Sequence, residues 1–231
     1  MKAWELLGEA PMPDGGTMYL MRQDSEFVIR IGGRTLMSSR MHGSEETLAI
    51  AGCQHLRNAE APRVLVGGLG MGFTLAATLQ QLPADARVTV AELVPAVVEW
   101  NRGELGACAG YPLADRRARV VVRDVGDVLR GNTGGFDAVL LDVDNGPSAF
   151  TTLTNQGLYD NSGVDACYHA LRPGGVLAVW AAWEDRKFEQ RMRVYGFETR
   201  VDRVRARLTG GGPRHTIFVG VKSHRSRVDL S

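Results

Sequence analysis

From Pro62 onward, short apolar runs alternate with longer amphipathic segments. The apolar runs predict β-strands and the segments between them predict helices. This alternation is typical of an α/β fold with a doubly wound, Rossmann-like, mainly parallel sheet. A glycine turn before the last run predicts that the final strand is antiparallel. The predicted strands cover residues 63–66, 87–92, 119–123, 137–142, 176–181, 197–203 and 216–221, and the predicted helices cover 72–82, 95–103, 125–130, 164–171 and 185–194.

The first 57 residues have a different pattern. Three short strand-like runs, at 17–22, 27–31 and 35–38, are separated by polar or glycine turns and predict a small antiparallel meander. Ser44 is suited to cap the helix that follows, and two acids in its first turn suit the helix dipole. We therefore interpret residues 1–57 as a small β region with a linking helix, 58–222 as the Rossmann-like catalytic domain, and 223–231 as a tail.

Composition excludes several classes of protein. Hydrophobic residues make up 44% and charged residues 23%, with a net charge of +1, which is typical of a soluble globular protein and gives no sign of nucleic-acid binding. There is no apolar run long enough for a signal peptide or a membrane span, so we expect a cytoplasmic protein. The three cysteines and five histidines have no metal-ligand spacing, so we expect no metal site.

A glycine turn lies at the centre of the predicted main domain. The strand Val64–Val66 is followed by Gly68, Gly70 and Gly72, and then by a predicted helix. Glu92 ends the next strand, 20 residues after Gly72. This is the layout of a nucleoside-binding βαβ unit, in which glycines admit the ligand and the acid binds ribose hydroxyls.

Further acids follow the next two strands. Asp124 comes after the third strand of the main domain, and Asp142 and Asp144 come after the fourth. Because ligands in open α/β sheets bind beyond the carboxyl ends of the strands, four consecutive strand ends with nucleotide-compatible groups predict one site.

The motifs resemble those of class I S-adenosylmethionine-dependent methyltransferases, in the same order, over about residues 60–185. They are Val-Leu-Val-Gly-Gly-Leu-Gly-Met-Gly, Ala-Glu-Leu-Val-Pro, Val-Arg-Asp-Val, Phe-Asp-Ala-Val-Leu-Leu-Asp and Leu-Arg-Pro-Gly-Gly-Val-Leu. The chain is most similar to the spermidine synthase (polyamine aminopropyltransferase) branch, which also has an N-terminal β region. The resemblance implies S-adenosylmethionine or its decarboxylated form as the cosubstrate.

The resemblance also implies roles for single residues. The glycines would line the methionine portion, Glu92 would hold the ribose, Asp124 would contact the adenine amino group, and Asp142 would face the transferring group and orient the acceptor or accept its proton. Asp144 is a second catalytic candidate. A cap or ribose-side hydrogen bond remains an alternative for Asp142, and a turn cap for Asp144. The cofactor-binding residues so implied are Gly68, Leu69, Gly70, Gly72, Glu92, Leu93, Asp124, Val125 and Asp142.

Two departures from the aminopropyltransferase pattern concern the donor and the acceptor. The family has Gly-Gly-Gly-Asp-Gly-Gly in the glycine turn, where this chain has Gly68-Leu-Gly-Met-Gly-Phe73, so Met71 replaces the acid that would hold the amino group of the decarboxylated donor. The family's Asp-Ser-Ser-Asp-Pro is replaced by Asp142-Val-Asp-Asn-Gly-Pro147. We therefore expect a methyltransferase acting on a small, amine-containing acceptor. The alternatives are a spermidine-synthase-type aminopropyltransferase and a non-catalytic nucleoside-binding protein.

Residues for the acceptor are less constrained by the pattern. His42 precedes the linking helix, and Glu45 and Glu46 beside it would bind a cationic acceptor, although dipole complementarity also explains these two acids. Tyr159 ends a polar loop, 147–159, that is suited to a lid, and it would otherwise be a core residue. Trp183 would wall the acceptor pocket. We expect a small-molecule acceptor as partner, and the resemblance leaves a homodimer open.

Overall fold

The computed structural model describes residues 3–13, 15–143, 157–207 and 212–223 of the chain. Its first element is a four-stranded antiparallel sheet in the order β1-β2-β3-β4. The strands are β1 (Glu5–Pro11), β2 (Thr17–Gln23), β3 (Glu26–Ile31) and β4 (Arg34–Ser38). The sequence predicted the last three strands and missed β1.

Gly8 explains why β1 was missed. It interrupts the apolar alternation, and the register with β2 shifts between Leu6 and Gly8. A Cβ at Gly8 would lie 2.5 Å from Nε1 of Trp100, so the glycine allows the strand to pass close to that ring. Whether this segment forms a strand therefore depends on its contact with Trp100, a residue far along the chain.

The main sheet has seven strands in the order β10-β11-β9-β8-β5-β6-β7. The strands β5 to β9 run parallel, and β11 is antiparallel to both of its neighbours, β9 and β10. This confirms the predicted fold class. The strands are β5 (Arg63–Gly67), β6 (Arg87–Glu92), β7 (Ala118–Val122), β8 (Phe136–Leu141), β9 (Leu171–Ala181), β10 (Phe197–Arg205) and β11 (Arg214–Lys222).

Six α-helices pack on the two faces of this sheet in the described chain. They are α1 (Gly43–Cys53), α2 (Phe73–Gln81), α3 (Pro95–Arg102), α4 (Val125–Arg130), α5 (Asn161–Ala170) and α6 (Arg186–Val194). Short 3-10 helices at Gln54–Leu56, Glu104–Ala109 and Pro112–Ala114 complete the connections. None of the described helices has the length and apolar character needed to span a bilayer.

The central strands explain the two-faced core. Along β8, Ala138 and Leu140 pack in one hydrophobic cluster, whereas Val139 and Leu141 pack in the other. All four are buried, because successive side chains of a strand point to opposite faces. The first cluster also contains Leu20 of β2 and other apolar residues of the N-terminal sheet, so that sheet and the main domain share one core.

Two local predictions were wrong. Ser44 does not cap α1, because His42 occupies the cap position and Ser44 lies inside the helix, fully buried. Strand β9 starts at Leu171 rather than Val176, so residues 171–175, which were not predicted as strand, belong to a strand whose register with β8 is shifted. In both places, contacts from distant segments override the local preference.

Candidate functional site

The turn between β5 and α2 lies where the strand order reverses, which is the usual ligand position in this type of sheet. Gly68 has φ +87° and Gly70 has φ +51°. A Cβ at Gly68 would lie 2.4 Å from the carbonyl oxygen of Asp142, so only glycine allows this approach of turn and neighbouring strand end. The backbone of the turn is thereby left open toward the space above the sheet.

Gly72 has a different position from the other two glycines. Its missing Cβ would meet Oδ1 of Asn101 at 2.9 Å and Pro112 at 3.0 Å, so it faces the packing between α2 and α3. Asn101 is fully buried, and its Nδ2 donates to the carbonyl oxygens of Gly70 (2.8 Å) and Val97 (2.9 Å). Asn101 thus fixes the glycine turn. This role could not be predicted from the residue pattern, because it depends on a contact between distant segments of the chain.

Glu92 is held by the backbone at the end of β6. Its Oε2 accepts from the amide of Leu69 at 2.9 Å and its Oε1 accepts from the amide of Val94 at 2.8 Å. Burial raises the pKa of this carboxyl, while these hydrogen bonds oppose the rise. Each oxygen keeps a further lone pair, so the carboxylate can accept two ribose hydroxyls while it holds the turn.

A first cavity opens beside Glu92. Its walls are largely apolar, and Leu93 and Val125 are among them. Asp124 lies on the wall and caps α4 through its Oδ1, which accepts from the amide of Asp127 at 3.2 Å. The predicted residues Gly68, Gly70, Glu92, Leu93, Asp124, Val125 and Asp142 all line this cavity, together with Met12, Met18, Ile29, Leu36, Met37 and Val143.

Asp142 lies directly after β8, where the first cavity meets a second one. Thr74 donates its hydroxyl to Oδ2 of Asp142 at 2.5 Å, and the Asp142 amide donates to the carbonyl of Gly67 at 2.9 Å. Burial raises the pKa of Asp142 to about 6, and the Thr74 hydrogen bond opposes this. A carboxylate so placed faces both cavities and can exchange a proton near neutral pH.

The second cavity contains another half-buried carboxyl, that of Glu45 near the start of α1. Burial is the largest cause that raises the pKa of Glu45, to about 8, and the charge of Asp142 adds to it. Among the described residues that line this cavity there is no lysine or arginine. The remaining walls are mainly aromatic and apolar: Leu36, Met37, Met41, Leu69, Met71, Phe73, Trp180, Ala182, Trp183 and Pro213.

His42 and Glu46 lie behind the wall of the second cavity and do not line it. The His42 ring stacks on Phe73, with centroids 4.2 Å apart, and its Nδ1 lies 2.8 Å from Oε1 of Glu46. Glu45, the neighbour of Glu46, is the acid that reaches the cavity. The helical rotation of about 100° per residue turns the two carboxyls to different sides.

The other predicted residues are divided between wall and core. Trp183 lines the second cavity and is 60% exposed. Tyr159 is buried in the core, packs edge-on against Phe188, and donates its hydroxyl to the carbonyl of Val143 at 3.0 Å. It therefore supports the segment after Asp142 from behind. Asp144 and residues 147–156 of the predicted lid loop 147–159 lie outside the described residues.

Comparison with known proteins identifies the fold. No protein-family model matches the sequence, and no curated protein matches it either. Among solved structures, the spermidine synthase from Thermotoga maritima is similar over 98% of this chain and 75% of its own, with a TM-score of 0.75 and 19% identity. A spermidine synthase in complex with the transition state analogue AdoDATO matches over 95% and 74%, with a TM-score of 0.75 and 21% identity.

A probable spermidine synthase from Corynebacterium glutamicum matches over 96% of this chain and 81% of its own, with a TM-score of 0.65 and 17% identity. The chain therefore has a spermidine-synthase-like fold, with the N-terminal sheet included in the match. This confirms the resemblance at the level of the fold.

Proposed function

We propose that the chain is a transferase that moves an aminopropyl group from decarboxylated S-adenosylmethionine to a small amine. The observation that carries the proposal is the pair of adjoining cavities that meet at Asp142. The second cavity holds two half-buried carboxyls and, among its described lining residues, no lysine or arginine. Such a cavity favours ligands that bring positive charge. The neighbours of this fold include spermidine synthases, which supports the same reaction class.

The residues of the first cavity fit a sulfonium nucleoside. Glu92 is fixed by two backbone amides and keeps acceptor capacity for ribose hydroxyls. Leu93 and Val125 give apolar walls for a base, and Asp124 stands beside them for an exocyclic amino group. Bound there, the nucleoside would supply an alkyl carbon activated for displacement by an amine.

The chain's own groups then have three tasks. The walls of the second cavity, including Phe73 and Trp180, exclude water from an amine held beside Asp142. The carboxylates of Asp142 and Glu45 attract the ammonium form and take one proton from its nitrogen, which leaves the lone pair that an attack requires. Thr74 holds the Asp142 carboxyl in one orientation during this transfer.

Charge also distinguishes the two forms of the donor. The carboxylate of ordinary S-adenosylmethionine would enter a region with Asp142 and Glu45 nearby, where like charges repel. In the described part of both walls, Arg123 is the one arginine or lysine, and it lies next to Asp124 at the first cavity. The decarboxylated donor has only positive charge at this end, so the cavity favours it.

A methyltransferase is the second candidate, and Met71 is the observation that favours it. Its side chain lines the second cavity and is almost fully buried, where the resembling family has an acid for the donor's amino group. An apolar wall there makes no contact specific to that amino group. Met71 therefore favours the methyl donor, but the two carboxyls of Glu45 and Asp142 in the same cavity favour the aminopropyl donor.

A calorimetric titration of the protein with each donor tests the proposal. We expect the decarboxylated form to bind about tenfold or more tightly than S-adenosylmethionine, since one unfavourable charge contact costs about 1.4 kcal/mol or more. Incubation with 1,4-diaminobutane or n-butylamine and mass spectrometry should then show a product larger by an aminopropyl group. Preference for S-adenosylmethionine and a product larger by a methyl group would establish the second candidate. Binding without any product would indicate a non-catalytic nucleoside-binding protein.

A further inference from the structure

The carboxyl of Glu45 is the end of a series of three hydrogen-bonded side chains. The Ser44 hydroxyl donates to Oε2 of Glu45 at 2.6 Å, and Nδ1 of His215, on β11, lies 2.9 Å from the same hydroxyl oxygen. Ser44 is fully buried. His215 lines the second cavity next to Trp180, with the two ring centroids 4.6 Å apart.

The chemistry of the three groups fixes the direction of the hydrogen bonds. A serine hydroxyl has one hydrogen, and here it is given to Glu45, so the bond with His215 requires a proton on Nδ1. Burial lowers the pKa of His215, which keeps the ring neutral. A neutral ring with its proton on Nδ1 donates to Ser44 and adds no charge that would compete with a cationic acceptor.

We propose that His215 and Ser44 are positioning residues that hold Glu45 as the carboxylate to which the acceptor amine gives its proton. The inference rests on the proposed function and assigns the proton transfer within it. The acceptor's N–H bond breaks and a Glu45 O–H bond forms. The nitrogen lone pair then forms the new N–C bond, and the electrons of the C–S bond remain on sulfur.

The surroundings of Glu45 agree with this assignment. Asp142 faces it from the end of β8, Glu46 is its neighbour on α1, and both raise its pKa, whereas the Ser44 hydrogen bond lowers it. Apart from Glu45, Asp142 and the neutral His215, the described residues that line this cavity carry no ionisable side chain; Thr74 of α2 and Trp180 of β9 are among them. Ser44 is therefore the side chain that favours the ionised form of Glu45.

Four variants test the inference through pH–rate profiles measured with decarboxylated S-adenosylmethionine and 1,4-diaminobutane. We expect Ser44→Ala to lower kcat about tenfold near neutral pH and to displace the acidic limb upward, since a hydrogen bond to a charged group is lost. His215→Phe should give a smaller loss in the same direction, about threefold. His215→Asn should restore the profile, because its amide can donate in place of Nδ1.

Thr47→Val is the matched control. It removes another hydroxyl at the same helix start, one that donates to the carbonyl of Gly43 at 2.8 Å and does not line the cavity. We expect its profile to match that of the unmodified protein. A loss in Ser44→Ala that is the same at every pH, or His215→Asn no better than His215→Phe, would overturn the inference.

A readout without turnover separates this inference from the proposed function. The pKa of the Glu45 carboxyl, followed by ¹³C NMR in the protein without donor, should be higher in Ser44→Ala than in the unmodified chain. If the unmodified chain shows no aminopropyl transfer, the proposed function fails, but this titration still tests the series of three side chains. An unchanged pKa would overturn the series whatever the activity.

Discussion

The two cavities on either side of Asp142 are built in different ways. In the first cavity, Glu92 and Asp124 each accept a hydrogen bond from a backbone amide two or three positions further along the chain, those of Val94 and Asp127. In the second cavity, the acid of one helix start is held through Ser44 by a histidine 171 positions away from that serine. Local turns therefore help to hold Glu92 and Asp124 in the first cavity, whereas Glu45 of the second cavity is held through a long-range contact.

This difference shows which of the two cavities can be predicted from the sequence. A carboxylate that caps the next turn needs only a short spacing, so the pattern of strand, turn and acid predicts its position. A carboxylate held through a distant strand has no such spacing. The first cavity therefore follows the general arrangement of the fold, and the second contains the features peculiar to this chain.

The largest expected effect concerns Asp142, which both cavities share. We expect Asp142→Asn to lower kcat about a thousandfold, because the carboxylate that orients the amine and attracts its positive charge where the two cavities meet is lost. Donor affinity should change less than about tenfold, because the hydrogen bond from Thr74 can be kept by the amide oxygen. The measurement is steady-state kinetics combined with calorimetric titration of the donor.

Asp127→Asn is the control for Asp142→Asn. Asp127 is exposed, pairs with Arg130 and lines neither cavity. Its kcat should match that of the unmodified protein. Equal losses of turnover and donor affinity in Asp142→Asn would make Asp142 a donor-binding residue of the first cavity alone. Asp142 would then not be the residue at which the two cavities act together.

Two glycine substitutions test how strongly the glycine turn between β5 and α2 depends on its close approach to Asp142. Gly68 and Gly134 both have positive φ, +87° and +55°, but a Cβ at Gly68 would meet the Asp142 carbonyl at 2.4 Å and one at Gly134 would meet nothing within 4 Å. We expect Gly134→Ala to lower the free energy of unfolding by about 1 kcal/mol and Gly68→Ala by about 3 kcal/mol. Urea unfolding measures both, and equal losses would show that the turn does not need this close approach.

The fold was predictable because its signals are local and repeated. The central strands are apolar on both faces, as Val64–Val66 and the run up to Leu141 show, and the glycine turn and Glu92 have fixed spacings. What could not be predicted depends on contacts across the chain. Strand β1 depends on Gly8 passing the ring of Trp100, and Asn101 acts on Gly70 from another helix.

The positions of the predicted acceptor residues likewise depend on contacts across the chain and could not be predicted from the sequence. Two neighbouring acids satisfy the dipole of α1 equally well from sequence, and only the rotation of the helix against β11 decides that Glu45 lines the cavity and Glu46 pairs with His42. Tyr159 satisfies an amphipathic pattern whether it faces the site or the core. Its bond to the carbonyl of Val143 places it in the core.

The smallest expected effect is on stability, and it tests the electrostatics of the second cavity without any ligand. The pKa of Glu45 is raised from its ordinary 4.5 to about 8, so the folded state binds this proton more tightly than the unfolded state does. The free energy of unfolding should therefore fall as the pH rises from about 4.5 to about 8.

Glu45→Gln removes this fall, and we expect it to be about 2 kcal/mol more stable than the unmodified chain near pH 8 and equally stable near pH 4.5. Glu46→Gln, whose carboxyl pairs with His42 outside the cavity, should keep the fall. Urea unfolding at both pH values measures it, and parallel pH curves for the unmodified chain and Glu45→Gln would mean that the second cavity does not hold Glu45 in a buried, charge-opposed position.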